Sequence, residues 1–398
     1  MRARAPARIL SPGETDVMKL ALTLGGTDLG RSGIGAYVRA VIPHLVRGLA
    51  RGGGRLLVFG TRAELGAYAG TLAGADVHPV SAAFGAPAPN ALWHLAWMGR
   101  AAARAGADAL LLPAGNRRLT VGSPIPTVAV VHDLAQLHVR DKYDPLRMLY
   151  VRRAVVGALA AATALVAVSG ATRRDVAGAL GRPLGAVRLV PNGVDAARFT
   201  PAVPGDPRVR DAMARVGIRP PYLLYLARLE HPGKNHLRLL RAYASSRARA
   251  AHALVLAGAD WGARDRVRAE IARLGLADRV VLPGYVDDAV VPGLVAGARA
   301  VAMVGLHEGF GLPALEALAA GRPVVAARTG ALPEVVSDLG ASCDPLDEGS
   351  IAAAIDRAIL DEALAARVAR EGPAYARGRD WTATAEGLLD ACRGTVDA

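Results

Sequence analysis

Two glutamates eight residues apart, Glu308 and Glu316, flank a turn that carries glycines, Gly309-Phe310-Gly311-Leu312-Pro313. Carboxylates at the two ends of such a segment repel a bare phosphate but accept hydrogen bonds from hydroxyls, the groups that a sugar or a ribose offers. The residues between them suit close approach of a ligand. Glycine leaves the backbone open, and the unpaired N–H groups at a helix start attract oxygen ligands. A second set is basic: Arg228 and Lys234 share the loop Ala227-Arg228-Leu229-Glu230-His231-Pro232-Gly233-Lys234-Asn235, ahead of a helical stretch. Two cations on one loop ahead of a helix start suit an anionic ligand or a group on which negative charge develops. A third candidate is His132, which with Asp133 ends the apolar run Thr127–Val131. Asp133 has two readings, orienting the imidazole or capping the next turn. Any one of these charges, alone, is ordinarily a solvated surface group; their grouping at element ends is what points to chemistry.

The elements that present these residues follow from the pattern. Ala300–Val304 is an unbroken apolar run, the mark of a buried strand. Pro313 suits a first helical position and Gly321 a stop just past the end. That puts Glu308 in the turn and Glu316 in the first turn of the helix. Tyr222–Leu226 is the strand before the basic loop and Leu237–Ser245 the helix after it. At the start of the chain, Lys19–Leu24 is a strand and Gly25-Gly26 opens a loop through Gly30-Arg31-Ser32-Gly33-Ile34-Gly35, before helical spacing over Ala36–Ala50. Glycines at 30, 33 and 35 do not make G-x-G-x-x-G, and the next strand, Leu56–Phe59, ends in Gly60-Thr61-Arg62 with no acidic residue for a ribose. A dinucleotide dehydrogenase is therefore disfavoured.

Further short strands at Val77–Val80, Ala109–Leu112, Ala164–Val168, Val187–Val190, Ala253–Leu256, Val280–Leu282 and Pro323–Ala327 alternate with helical segments in both halves of the chain. That alternation predicts an α/β protein with two doubly wound sheets. Thr200–Pro207, with Pro, Gly and Asp, reads as the linker between them.

The string Glu308-Gly309-Phe310-Gly311-Leu312-Pro313-Ala314-Leu315-Glu316-Ala317 resembles the E-x7-E signature of retaining, nucleotide-sugar-dependent glycosyltransferases of family four. Pro191-Asn192-Gly193-Val194-Asp195 is similar to the family segment that closes the first domain. The resemblance runs from about Lys19 to Leu389. It implies the GT-B fold, two Rossmann-like domains facing an interdomain cleft. The expected divisions are a mobile tail at 1–17, an acceptor domain at 18–205, a nucleotide-sugar domain at 206–376, and a helix at 377–398 crossing back to the first domain.

The resemblance also implies roles. Glu308 contacts the donor hexose, with the backbone of Gly309, Phe310, Gly311 and Leu312 holding other hydroxyls or phosphate. Glu316 takes the ribose hydroxyls, Arg228 and Lys234 the diphosphate, and His132 a sugar hydroxyl at the reacting side. Gly33 and Ile34 approach the diphosphate from the first domain, and Val286, in Pro283-Gly284-Tyr285-Val286, lines the nucleobase pocket. The implied reaction is a retaining transfer of a hexose, mannose or a related sugar, from a nucleoside-diphosphate sugar to a glycan, lipid-linked or small-molecule acceptor. GDP-mannose leads over UDP-sugars as donor. No cofactor or metal is expected: the sequence has no Asp-x-Asp, and Arg228 and Lys234 take the place of a metal ion. A sugar-nucleotide epimerase of the same fold and a catalytically silent partner subunit are the rival readings. The complete set of Arg228, Lys234, Glu308 and Glu316 argues against the second.

Composition narrows the partners. With 52% hydrophobic and 21% charged residues the chain can bury sizeable cores. Aromatic residues, at 4%, are too few for the stacking platforms of single-stranded nucleic-acid binding. Residues 19–195 hold 20 Lys and Arg against 9 Asp and Glu, or +11 of the net +13. A basic first half fits a phosphorylated or lipid-linked acceptor or peripheral contact with an anionic membrane, and equally a generally basic composition without functional meaning; no nucleic-acid partner is expected. The segment Ala91–Ala105 carries Trp93, Trp97, Arg100 and Arg104. It reads as a core-packed helix with a solvated basic face, a membrane interface being the other reading. The uncharged run Ala154–Thr172 approaches bilayer length but divides near Thr163 into helix Ala154–Ala162 and the strand after it. The first 18 residues lack the apolar core of a signal peptide. Cys343 and Cys392 are too few for a disulfide framework. The expected location is cytoplasmic, with peripheral contact at the inner membrane face as a further reading.

Overall fold

A computed structural model describes residues 17–139, 155–219 and 221–397. The tail expected at 1–17 lies, but for Val17, outside the described residues, as does the first residue of the helix expected at Ala154–Ala162.

Two parallel sheets organise the chain. The first contains β1 (Lys19–Thr23), β2 (Arg55–Thr61), β3 (Asp76–Val80), β4 (Ala109–Leu112), β5 (Thr127–Val131), β6 (Ala164–Ala167) and β7 (Val187–Leu189), in the order β3-β2-β1-β4-β5-β6-β7. The second contains β8 (Tyr222–Leu226), β9 (Ala253–Ala257), β10 (Val280–Gly284), β11 (Ala300–Met303), β12 (Val324–Ala327) and β13 (Gly340–Cys343), in the order β10-β9-β8-β11-β12-β13. Both orders run outward from one strand, return, and run outward the other way. This is double winding, the arrangement that the alternating sequence predicted. The central strands are buried along their whole length, as in Ala300–Met303 and Thr127–Val131. Parallel sheets covered on both faces require such continuous apolar runs.

The chain divides into two compact units. One gathers the described residues up to Ala129 with Ala161–Ala164 and the end of the chain from Ala385; the other comprises Val130–Ala160 and Leu165–Thr384. In the first, Leu20, Leu22, Val58 and Leu111 of the strands and Tyr37, Val41 and Leu45 of the helix after β1 all have essentially no exposure. In the second, Leu223, Leu224, Val255, Val301 and Val325 form the equivalent layer. Each such aliphatic side chain contributes about 1.5–3 kcal/mol by leaving water.

Several elements differ from their sequence reading. The first helix spans Gly33–Ala50 and starts three residues early, because Ser32 caps it by accepting the N–H of Gly35 at 3.3 Å. The single helix expected at Ala91–Ala105 is Pro87–Trp93, a π-helical turn His94–Met98, and Gly99–Arg104. Trp93 is buried and Trp97 46% exposed, and both rings lie against Phe84, with centroids 6.1 and 6.3 Å away. The helix Pro207–Val216 begins at the last residue of the segment read as a linker and was missed, although Asp206 followed by Pro207 is a start signal. The strand β13 was also missed; its sequence, Gly-Ala-Ser-Cys, lacks β-branched residues. The uncharged run does divide as expected, into helix Val156–Ala160 and β6. Among the described residues no helix is long and apolar enough to cross a membrane.

Candidate active site

The second sheet explains why residues 74 positions apart meet. Its order reverses between β8 and β11, and in open α/β sheets ligands bind beyond the carboxyl ends of the strands at that reversal. The basic loop leaves β8 and the Glu308 turn leaves β11, so both open at one place. The Leu306 N–H donates to Gly233 O at 2.9 Å and ties the loops together. Lys234 Nζ donates to both carboxylate oxygens of Glu308, at 2.8 and 3.0 Å. The side chains are 23% and 11% exposed, so the pair is largely withdrawn from water. Removing one member would leave the other charged, confined and uncompensated.

Arg228 is also engaged: its guanidinium contacts Glu230 Oε2 at 2.5 Å and lies over the Trp261 ring, 4.4 Å from the centroid. The Lys234 carbonyl accepts from Tyr225 Oη at 2.6 Å. Asn235, with φ of 60°, donates its side-chain amide to Val304 O at 3.0 Å and Pro345 O at 2.7 Å. Both expected cations are therefore held by carboxylates, which the sequence reading did not foresee, and Asn235 is a positioning residue that it missed. An amide before a helix start was the available signal.

The turn after β11 is shaped by two glycines. A Cβ on Gly309 would stand 1.8 Å from His132 O and 2.8 Å from Asp133 Cβ, so only glycine allows that approach. Gly311, at φ 90°, precedes the helix Leu312–Ala319 in a conformation that side chains rarely adopt. Thr172 Oγ1 lies 3.1 Å from His132 O and 3.3 Å from Gly309 O, locking the His132 backbone to the turn. His132 is buried at 8% exposure beside this turn. Asp133 caps the next turn, accepting the Ala135 N–H at 3.1 Å. The structure thus brings Lys234, Glu308, Gly309 and His132 together.

Glu316 is the fifth residue of its helix, beyond the first turn in which it was expected, because the helix begins at Leu312 and Pro313 takes the second position. Burial and the nearby Asp288 carboxylate push its carboxyl up to about 7, against an opposing pull from Arg198. Arg198 is bound to Asp288 at 2.9 Å. Neither neighbour was singled out from the sequence. Val286 follows β10 and is half-buried.

Three residues near the turn form a cluster that sequence reasoning missed. Asp175 lies 2.9 Å from His138 Nε2 through Oδ1 and 3.5 Å from His307 Nε2 through Oδ2. The imidazoles stack at 4.2 Å with 6° between their planes. Burial and the neighbouring His138 hold the His307 imidazole below its ordinary pKa.

The other compact unit holds Gly33 and Ile34. Gly33 is the first residue of its helix and exposed; Ile34 is buried at 6%. A Cβ on Gly33 would meet nothing within 4 Å, whereas one on Gly35 would stand 2.5 Å from Gly30 Cα. The first sheet reverses between β1 and β4. There the loop after β1 is fastened by Arg117, which donates to Gly26 O at 3.1 Å and Asp28 Oδ2 at 2.5 Å.

Two doubly wound parallel sheets in two α/β domains are the GT-B architecture, and a cation–carboxylate pair stands at the reversal of the second. The chain carries two glycosyltransferase family domains: residues 38–198 match the model of Glycosyltransferase Family 4, and residues 211–375 that of Glycosyl transferases group 1. It is 36% identical over 163 residues to the O-antigen chain mannosyltransferase B of Escherichia coli, covering 40% of this chain and 42% of that protein. It is 34% identical over 287 residues to a D-inositol 3-phosphate glycosyltransferase of Acidothermus cellulolyticus, covering 68% of this chain and 62% of that protein. The matches thus span less than two thirds of those relatives' own lengths. In fold it is similar to the crystal structure of Anabaena HepE in complex with UDP and glucose, with a TM-score of 0.71 at 21% identity over 95% of this chain and all of that one.

Proposed function

We propose that the chain transfers a hexose, with retention of anomeric configuration, from a nucleoside-diphosphate sugar to an acceptor that carries phosphate. The observation that carries this reading is the Lys234–Glu308 pair at the reversal of the second sheet. Without ligand the two charges neutralise each other. An arriving diphosphate offers Lys234 a stronger partner, and Glu308 is then freed to accept hydrogen bonds from the hexose hydroxyls. Arg228, beside it on the same loop, adds a second cation for the pyrophosphate. Glu316 takes the ribose hydroxyls, Val286 borders the base, and His132 bonds a sugar hydroxyl. The backbone of Gly309, Phe310, Gly311 and Leu312 supplies further contacts, and the helix start at Gly33 and Ile34 offers backbone N–H groups suited to an anion.

The bond from the anomeric carbon to the phosphate oxygen breaks while the acceptor oxygen bonds to the same face. The acceptor proton passes to the departing phosphate oxygen. No covalent enzyme nucleophile is needed. Fixed cations in a site withdrawn from water stabilise the developing charge, so no metal is required. Mannose from GDP-mannose is the favoured donor chemistry, in keeping with the mannosyltransferase among the relatives. A phosphorylated or lipid-phosphate acceptor fits the +11 charge of residues 19–195 and the inositol phosphate named for another relative. Such an acceptor places the chain in the cytoplasm, at the inner membrane face.

The test is to incubate the full chain with GDP-mannose and UDP-sugars, an acceptor and a chelator, and to read the product's anomeric configuration by NMR. The expected product keeps the donor's configuration at an undiminished rate. An inverted product, or a rate abolished by the chelator, would overturn the reading.

A further inference from the structure

We propose that His138, Asp175 and His307 form a binding site for a divalent transition metal of the zinc class. The three donors come from separate parts of the second unit: the turn after β5, the helix Gly170–Leu180, and the turn after β11. Their ligand atoms all lie within 4.8 Å of one another. Each imidazole stands near a different oxygen of the Asp175 carboxylate, His138 Nε2 at 2.9 Å from Oδ1 and His307 Nε2 at 3.5 Å from Oδ2, against ~3.3 Å between ligands of a tetrahedral ion with ~2.0–2.1 Å bonds.

A hydrogen-bonded His-Asp-His relay accounts for only one of these contacts. Asp175 Oδ2 and His307 Nε2 are both buried and face each other without a hydrogen bond to anything in the structure. The His307 side chain is only 5% exposed. Buried polar atoms are normally satisfied, and two orphans aimed at one point mark a place for a ligand. Because both are potential lone-pair donors, a cation between them satisfies both at once.

The donor set chooses the metal. Two imidazoles and one carboxylate suit Zn²⁺, Co²⁺, Ni²⁺ or Cu²⁺, whereas Mg²⁺ and Ca²⁺ favour all-oxygen shells. His138, 43% exposed at its side chain, opens the cluster on one side and gives the ion a way in. The metal would tie the turn that holds Glu308 to the helix Gly170–Leu180 and to the segment after His132. It would reinforce a turn that Thr172 already holds at Gly309 O, so its removal by a chelator should lower the melting temperature and leave transfer intact, the cations for the diphosphate remaining Arg228 and Lys234. The site stands independently of the proposed transfer reaction.

Equilibrium dialysis of the full chain against micromolar Zn²⁺ tests the proposal. One tightly bound equivalent is expected, together with the visible absorption of four-coordinate Co²⁺ when Co²⁺ is used instead. Zn²⁺ should also raise the melting temperature. Asp175→Asn and His138→Ala should each weaken Zn²⁺ by more than the ~10–100-fold typical of losing an outer-shell partner. His138 is half-exposed, so its truncation leaves no cavity in the core. Failure to bind an equivalent of Zn²⁺, or wild-type affinity in a folded His138→Ala variant, would overturn the assignment.

Discussion

The two sheets reverse their strand order in the same manner, yet their reversal points are furnished differently. In the second, the loops after β8 and β11 carry Arg228, Lys234 and Glu308, each cation already held by a carboxylate. In the first, the loop after β1 offers mainly backbone: Gly25, Gly26 and Gly30, then a helix whose first residue is the unencumbered Gly33. An ion pair of Arg117 with Asp28 fastens the loop itself. The same topology thus yields a charged grip on one side and an open backbone on the other. Topology supplies the place, and a few side chains decide what it holds.

The largest expected effect breaks the charged side. Lys234→Ala removes a diphosphate cation and should cost about 3 kcal/mol of transition-state stabilisation, a hundredfold or more in kcat/KM. Steady-state kinetics on a variant shown folded by circular dichroism would check it. Near wild-type turnover would mean that the second reversal point has no more part in the chemistry than the first.

A second test sharpens the electrostatic side through Glu316, whose carboxyl stands at about 7 rather than 4.5. A carboxyl raised on folding is protonated in the native state over a range where the unfolded chain has already ionised. Stability is then lost as pH rises from about 4.5 through 7. Glu316→Gln removes that loss. The ligand-free variant should equal the wild type near pH 4 and exceed it near pH 8 by up to about 3 kcal/mol, at 1.36 kcal/mol per pH unit. Thermal melts at the two pH values measure the difference, and a gap independent of pH would contradict the burial argument.

The smallest effect probes the open side by pairing two glycines. Gly33→Ala meets no neighbour and replaces glycine by a better helix former, so stability should hold or rise by up to ~1 kcal/mol while donor KM increases several-fold. Gly35→Ala runs into the Gly30 backbone and should lose ~1–3 kcal/mol. Equal melting temperatures for the two variants would show that the first loop is not built as described.

Much of this was legible in the sequence where the signal is local. Unbroken apolar runs marked the central strands, a proline and a glycine bracketed the helix Leu312–Ala319, and Asp133 proved to be a cap, one of its two readings. What stayed hidden depends on which strands become neighbours. Lys234 reaches Glu308 only because β8 and β11 lie side by side. Asp288 and Arg198 raise and lower the Glu316 carboxyl from distant positions, and His138, Asp175 and His307 converge from three elements. The π-helical turn at His94 was illegible for another reason. It is set by the buried ring bonding Thr23 Oγ1 at 2.7 Å, a contact 71 residues away.

The most direct test of the central claim is a crystal structure of the chain with a nucleoside diphosphate bound. The pyrophosphate oxygens are predicted to lie within ordinary hydrogen-bond distance, ~2.7–3.2 Å, of Lys234 Nζ and the Arg228 guanidinium, with the Lys234–Glu308 contact lengthened. A pyrophosphate seated away from the Arg228–Lys234 loop, with that ion pair intact, would contradict the account.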